Sequence, residues 1–89
     1  MITTHALTRM QQRGIPPGIV DLVLAYGSVV HDQHGAEIYH LDKSAMRRLE
    51  RSWGRSFVRR LDGLQRAYAV VRDGRVITTG HRHERVRRH

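Results

Sequence analysis

The segment 66–82, RAYAVVRDGRVITTGHR, carries the strongest local structural signal in this chain. Two runs rich in β-branched and aromatic residues, AYAVV and VITT, flank the dipeptide Asp73-Gly74. Asp-Gly between such runs favours a two-residue β-hairpin turn, because both turn residues need a positive φ. The segment therefore predicts an antiparallel hairpin. Its second strand leads into a polar end formed by Gly80, His81, Arg82 and His83.

Two amphipathic helices are predicted before residue 27. Thr3 or Thr4 can cap the start of the first helix, and Gly14 is a natural stop. The second helix should begin at Pro16-Pro17, because proline is tolerated in the first turn. Its apolar residues recur with the 3.6-residue period of a buried helix face. They are Ile19, Leu22, Val23 and Tyr26, and Gly27 ends the pattern.

Residues 28–33 and 36–41 predict a second hairpin around His34-Gly35. Asp42 can then cap a third and longest helix, whose apolar residues step by three or four through to Leu64. Gly54 lies in the middle of this pattern. A glycine in a helix interior destabilises the helix by about 1 kcal/mol relative to alanine, so we expect the helix to break or kink there.

The order α-α-β-β-α-β-β predicts an α+β domain, with an antiparallel sheet of about four strands and helices on one face. Eighty-nine residues suffice for one domain spanning 1–89, and we expect the basic segment 84–89 to be a mobile tail. No membrane-spanning run or signal pattern is visible, and there are no cysteines. These features favour a soluble cytoplasmic protein.

Positive charge is concentrated in the second half of the chain. The whole sequence has 16 Lys/Arg against 8 acidic residues, and 15 of the 16 are arginine. Residues 1–42 carry a net charge of −2, residues 43–66 carry +6 and residues 67–89 carry +4. Arginine suits phosphate and carboxylate recognition, so the expected partners are a nucleic acid, an acidic protein, or both. A compositional bias towards arginine would give part of the same excess.

The opening sequence H-A-L-x-R-M-x-x-R-G-I, from His5 to Ile15, resembles the N-terminal signature of the bacterial family called domain of unknown function 4258. Gly35, Tyr39 and the closing V-I-T-T-G-H-R resemble the rest of that family's pattern, so the resemblance covers essentially the whole chain. The family is similar to RelE-like and barnase-like small ribonucleases, many of which are toxins of bacterial toxin–antitoxin pairs. The resemblance implies a RelE-like fold, RNA as substrate (with messenger RNA on the ribosome a candidate) and a small acidic antitoxin as partner.

RNA cleavage without a metal needs a base, an acid and cationic groups that stabilise charge on the phosphate. Histidine suits the first two roles at neutral pH and arginine the third. His5 shares a helix face with Arg9 and Arg13 at i, i+4 and i+8, and strand alternation places His81 and Arg82 on opposite sides. A helix-start histidine or a salt-bridged arginine would be the structural alternative. The predicted catalytic residues are His5, Arg9, Arg13, His81 and Arg82.

The predicted RNA-binding residues lie mostly on the third helix, where a phosphate track and a solvated face are both open alternatives. Tyr39 can stack on a base, although a tyrosine in a strand is more often part of the core. The predicted RNA-binding set is Tyr39, Arg47, Arg48, Arg51, Arg55, His83 and Arg85. No cofactor is expected, and a metal site is disfavoured because no acidic cluster accompanies the histidines. The alternative function is a non-catalytic module that binds nucleic acid or protein.

Overall fold

The computed structural model describes residues 2–61 and 63–82, and it confirms the α+β class. Helices α1 and α2 precede a hairpin, two further helices follow it, and a second hairpin ends the described chain. The elements are α1 Thr4–Arg13, α2 Pro17–Tyr26, β1 Ser28–His31, β2 Glu37–His40, α3 Lys43–Trp53, α4 Arg55–Arg59, a 3₁₀ turn Leu64–Arg66, β3 Ala67–Arg72 and β4 Arg75–His81.

The four strands form one antiparallel sheet in the order β1-β2-β3-β4. The turn between β3 and β4 is the predicted one, since Asp73 and Gly74 have φ values of 53° and 75°. One irregularity interrupts this hairpin: Val70 pairs with Thr78, whereas Val71 pairs with Val76. One extra residue on β4 therefore forms a β-bulge, and the bulge shifts the register of everything beyond it.

The two faces of the sheet differ in burial. On β3, Ala67, Ala69 and Val71 are buried, and they belong to a single hydrophobic core that also contains residues of α1, α2 and α3. The alternate residues Tyr68 and Val70 point to the opposite side and remain partly exposed. We call that side, with its cross-strand neighbours on β2 and β4, the open face. All helices that contribute to the core therefore lie on one side of the sheet, as predicted.

Helix α1 lies against the edge strand β4, and α2 lies against β3. Ala6 and Met10, one helical turn apart, bury the inner side of α1. The sequence also predicts Leu7 in one apolar stripe with Ala6 and Met10, but Leu7 is 45% exposed, so that detail of the prediction was wrong. Both predicted ends of α1 are confirmed. The side chain of Thr3 accepts a hydrogen bond from the backbone N–H of Ala6, and Gly14 adopts the left-handed conformation.

The predicted long third helix is divided at Gly54, where φ is 89°. A positive φ is readily adopted by glycine and interrupts the α-helical hydrogen-bond ladder. Helix α3 therefore ends at Trp53 and α4 at Arg59, so the helix does not continue to Leu64 as its apolar spacing had suggested. Leu64 is instead fully buried in the short 3₁₀ turn before β3.

Asp42 links the first hairpin to α3. Its Oδ1 atom accepts a 2.8 Å hydrogen bond from the backbone N–H of Ala45, which caps the helix as predicted. The hydroxyl of Ser28, at the start of β1, donates a 2.7 Å bond to Oδ2 of the same carboxylate. The Ala45 bond first, and the Ser28 bond second, hold the pKa of the Asp42 carboxyl below its ordinary value. The ionised carboxylate thus stabilises both a helix end and a strand start.

We expect Asp42→Ala to reduce the free energy of unfolding by about 0.5–2 kcal/mol, the usual cost of losing a helix cap. Urea unfolding at pH 7 would measure this change. The neighbouring exposed Lys43→Ala is the matched control and should stay within about 0.5 kcal/mol of the wild type. Because the folded pKa is lowered, the contribution is lost as the pH falls through that pKa, and the difference should shrink in acid. Equal stabilities of Asp42→Ala and Lys43→Ala at pH 7 would contradict this role.

Candidate functional site

A row of four residues crosses the open face near one end of the sheet. Ser28 on β1 pairs with His40 on β2, His40 pairs with Tyr68 on β3, and Tyr68 pairs with Gly80 on β4. Residues directly opposite each other in antiparallel strands share a face, with Cβ atoms about 4.5–5.5 Å apart. We call these four residues the cross-strand row. The pairing places an imidazole beside a phenol, next to a position that has no side chain.

Gly80 leaves room for two polar groups. A methyl group at this position would lie 2.7 Å from Oη of Tyr68 and would overlap Nη1 of Arg13. Arg13 is the last residue of α1, and its Nη1 atom also donates a 3.0 Å hydrogen bond to the carbonyl oxygen of Thr79. The end of α1 therefore places the guanidinium of Arg13 against the backbone of β4. The absence of a side chain at Gly80 is what allows Arg13 and Tyr68 to approach the same point.

Arg82 lies two residues beyond Gly80, so its side chain starts on the open face. Its backbone N–H donates a 2.7 Å hydrogen bond to the carbonyl of Arg66, which extends the β3–β4 pairing by one step. Its Nη2 atom donates to the carbonyl of Gln65 at 3.3 Å. Its Nε atom is buried and has no hydrogen-bond partner among the described residues. A buried donor without a partner is costly and is often resolved by a ligand or water.

His40 is the member of the cross-strand row whose side chain ordinarily titrates near neutral pH. Burial, and next the positive charge of Arg82, lower the pKa of its imidazole, while Asp42 opposes this shift. Its Nδ1 atom is buried and lacks a partner within the part of the chain that the structure describes. The lowered pKa keeps the ring neutral at pH 7, and a neutral imidazole has one nitrogen free to accept a proton.

Of the predicted catalytic residues, Arg13 reaches Gly80, and Arg82 follows Gly80 by two residues on the same face of the sheet. His81 lies on the other side of the sheet, because it pairs with the buried Ala67. Its ring is packed against the turn at Gly63, where an added Cβ would lie 3.1 Å from Nε2 of His81. The predicted separation of His81 and Arg82 is thus observed, and His81 does not join the two arginines.

His5 and Arg9 lie together on α1 but away from the cross-strand row. Arg9 donates from Nε to Nε2 of His5 at 3.5 Å, and His5 is exposed. Eight residues separate His5 from Arg13, which corresponds to about 12 Å along a helix. The structure therefore does not bring His5 to the site at Gly80. Its catalytic role stays a prediction, to be compared directly with that of His40.

The predicted RNA-binding residues lie on two separate surfaces. Tyr39 pairs with Ala69 on the helix side of the sheet and packs against the core, so its ring does not lie on the open face. Arg48 donates to the hydroxyl of Ser44 and to the carbonyl of Tyr26, both at 2.9 Å. The remaining helix arginines line a shallow depression of about 300 Å³ together with Glu50; they are Arg47, Arg51 and Arg55. His83 and Arg85 lie outside the described residues.

His40 and Tyr68 are site residues that the sequence prediction missed. The hairpin was correctly predicted, but the β-bulge decides which residue of β4 lies opposite Tyr68. A regular hairpin around Asp73-Gly74 would pair Tyr68 with Thr79, and the extra residue moves the pairing to Gly80. The sequence feature that could have identified His40 is its position near the end of the predicted strand 36–41, two residues before the Asp42 cap.

Comparison with known proteins does not assign the chain to a family. No protein-family model, curated protein or solved structure gives a significant match to the chain. Within residues 2–61 and 63–82, no group of three or more His, Asp or Glu side chains is placed to hold a metal ion. None of the helices in that part of the chain is both long and apolar enough to cross a membrane.

In an NMR titration, the His40 ring should gain its proton below the ordinary histidine pKa of 6.5. Arg82→Gln should raise that pKa, because it removes a repulsive positive charge while burial persists. Arg47→Gln, on the exposed side of α3, is the matched control and should leave it unchanged. Because the unfolded chain binds this proton more readily, folding stability should fall as the pH drops from about 6.5 through the lowered pKa. A wild-type pKa at or above 6.5 would contradict the described environment.

Proposed function

We propose that the open face of this protein cleaves RNA without a metal ion, and that the chain is a small RelE-like ribonuclease. The observation that carries this proposal is the arrangement around Gly80. Arg13 and Tyr68 meet at Gly80, the position that has no side chain. His40 lies opposite Tyr68 on the neighbouring strand, and the positive charge of Arg82 is near enough to lower the pKa of the His40 imidazole. These are the group types that metal-independent cleavage of a phosphodiester requires.

In the proposed reaction, His40 removes the proton from a ribose 2′-hydroxyl. The 2′-oxygen attacks the adjacent phosphorus, the new P–O2′ bond forms, and the P–O5′ bond breaks. The departing 5′-oxygen takes a proton from the hydroxyl of Tyr68. The products are a 2′,3′-cyclic phosphate and a 5′-hydroxyl end. His40 then releases its proton to solvent and Tyr68 regains one, so the enzyme returns to its starting state.

The two arginines would stabilise the negative charge that builds on the phosphate. A guanidinium has five N–H donors, and the structure uses only some of them. Arg13 donates one bond to Thr79, and Arg82 donates one side-chain bond to Gln65. These bonds to backbone carbonyls hold each group in place before substrate arrives. Donors held in advance are more effective than donors that must reorganise during the reaction.

The wider charge distribution supports an RNA substrate. The chain has a net charge of +8, and residues 43–66 alone contribute +6. The exposed arginines of α3 can follow a phosphate backbone and add affinity without sequence preference. The resemblance to domain of unknown function 4258 supports the narrower proposal of a cytoplasmic toxin that acts on messenger RNA and is neutralised by a small acidic antitoxin.

A non-catalytic RNA-binding module is the second candidate function. One observation favours it: both Arg13 and Arg82 are hydrogen-bonded to backbone carbonyls. In that case the arginines stabilise the end of the sheet, and the protein binds RNA without cutting it.

The direct test is incubation of the purified protein with an end-labelled single-stranded RNA in the presence of EDTA. We expect fragments that end in a 2′,3′-cyclic phosphate. His40→Gln should slow their formation by about 10²–10⁴-fold, the usual contribution of a general base. His5→Gln, two helical turns from Arg13, should leave the rate nearly unchanged. Intact RNA with retained binding would favour the non-catalytic module, whereas loss of cleavage in His5→Gln alone would place the site on α1.

Gly80→Ala tests the convergence of Arg13 and Tyr68 at one point. The new methyl group should displace both side chains and slow cleavage by about 10²-fold or more, comparable to losing a preorganised donor. Gly18→Ala is the matched control, because a Cβ added there on α2 meets nothing within 4 Å. Circular dichroism melting would confirm that both variants fold. Wild-type cleavage by a folded Gly80→Ala protein would contradict the proposed geometry.

A further inference from the structure

The two edges of the sheet differ in how they are covered. At the β4 edge, Ile2 forms a parallel bridge with Val76, and the backbone N–H of Thr3 donates a 3.0 Å hydrogen bond to the carbonyl of Val76. Helix α1 also lies against β4. At the other edge, no strand within the described chain pairs with the outer side of β1, Ser28–His31. We call this outer side of β1 the free edge.

The hydrogen-bond pattern of the first hairpin identifies the backbone groups that point outward from the free edge. The N–H of Asp32 donates to the carbonyl of Ala36 at 2.9 Å, which marks these two residues as a hydrogen-bonded pair. Along an antiparallel ladder, such pairs alternate with pairs that are not hydrogen-bonded. Two residues earlier, Val30 therefore bonds to β2 again. The N–H and C=O groups of its neighbours Val29 and His31 point away from the sheet.

Apolar side chains are exposed on both faces of the free edge. Val30 is 50% exposed on the open face, and Val29 is 39% exposed on the helix side. Natural sheets usually protect an edge with proline, lysine, a bulge or an inward-pointing charge. The segment 28–31, SVVH, has no proline, lysine or arginine, and its register with β2 is regular. Only its short length of four residues limits what a partner strand would gain.

Val30 is the outermost member of an apolar row on the open face. It pairs with Ile38 on β2, and Ile38 pairs with Val70 on β3. Ile38 and Val70 are partly buried, whereas Val30 is half exposed at the end of the row. A strand added at the free edge would cover Val30. An apolar residue directly opposite Val30 would bury the most apolar surface.

We infer that the free edge binds the same edge of a second copy of this chain, so that two antiparallel strands join both sheets into one. The register that uses every outward-pointing group places Val29 opposite His31 of the second copy, and this pair exchanges both of its backbone hydrogen bonds. Val30 then lies directly opposite Val30 of the second copy, on a two-fold axis. The interface is self-complementary, as a two-fold dimer requires.

The charge distribution favours the free edge as the contact between two copies. Each chain carries a net charge of +8, so two copies repel each other, and the positive excess lies in residues 43–89. The segment 27–35 has no lysine or arginine, so pairing at β1 brings no cation of that segment into the contact. The symmetry of a second copy places valine opposite valine, whereas another protein would need a suitable strand of its own. The proposal does not depend on cleavage at Gly80.

Analytical ultracentrifugation over a range of protein concentrations measures this association directly. Salt at about 0.3 M would screen the repulsion between two chains of +8. Because the strand is short, we expect a weak dimer with a Kd on the order of 100 µM. Val30→Lys should weaken it by about tenfold or more, because it sets two ammonium groups directly opposite each other. Leu7→Lys is the matched control: Leu7 is 45% exposed on α1, and the same change in charge should alter the Kd less than about twofold.

Single cysteines test the register, since the chain has none of its own. In the inferred dimer the two copies of position 30 form a pair that is not hydrogen-bonded, with Cα atoms about 4.5 Å apart, which a disulfide can span. The two copies of position 29 are offset by two residues, so their Cα atoms lie more than about 7 Å apart, beyond that span. With diamide as a mild oxidant, we expect Val30→Cys to form a covalent dimer at least about tenfold faster than Val29→Cys.

Three results would overturn the inference. The first is a monomer at every concentration up to about 1 mM, which would leave the free edge to a strand of another protein or to water. The second is an unchanged dimer in Val30→Lys, which would place the interface elsewhere, for example on the exposed rings of Trp53 and Phe57. The third is equal crosslinking of the two cysteine variants. These small substitutions keep the test decisive if circular dichroism melting shows that Val30→Lys does not fold.

Discussion

The alternation of β3 determines how the rest of the molecule is arranged. Its small residues Ala67 and Ala69 are buried against the helices and let α2 approach the sheet closely. Tyr68, between them, must point the other way. The strand is central, with β2 on one side and β4 on the other. Because paired residues share a face, the alternation of β3 decides which residues of β2 and β4 lie on each face of the sheet. A hydrophobic core on one face and a polar row on the other are two results of the same pairing.

The β-bulge on β4 connects that architecture to the candidate site. Without the extra residue, Thr79 would share a face with Tyr68, and its side chain would stand where Arg13 and Tyr68 now meet. With the bulge, Thr79 is turned inward and fully buried, and Gly80 takes its place on the open face. Bulges frequently re-aim side chains next to functional sites. The outward position of Arg82 follows from the same shift.

The sequence predicted those features that depend on local chemistry. Thr3, Gly14 and Asp42 mark helix ends because their capping requires particular residue types, and Asp73-Gly74 marks a turn because it requires positive φ. The site was predicted only in part. Arg13 contacts Thr79 on β4, which lies 66 positions later in the chain, and no local sequence pattern encodes such a contact. Tyr39 and Tyr68 both lie in strands, and only the pairing of the strands shows that Tyr68 is on the open face.

The most direct measurement is an NMR titration of the protein with a single-stranded RNA in which 2′-deoxy substitution prevents cleavage. The account predicts that the largest amide shifts fall on the cross-strand row and its neighbours, at His40, Tyr68, Gly80 and Arg82. Smaller, salt-sensitive shifts should appear on the exposed arginines of α3. Shifts confined to α3 and α4, with the cross-strand row unchanged at saturating RNA, would contradict the assignment of the open face as the RNA site.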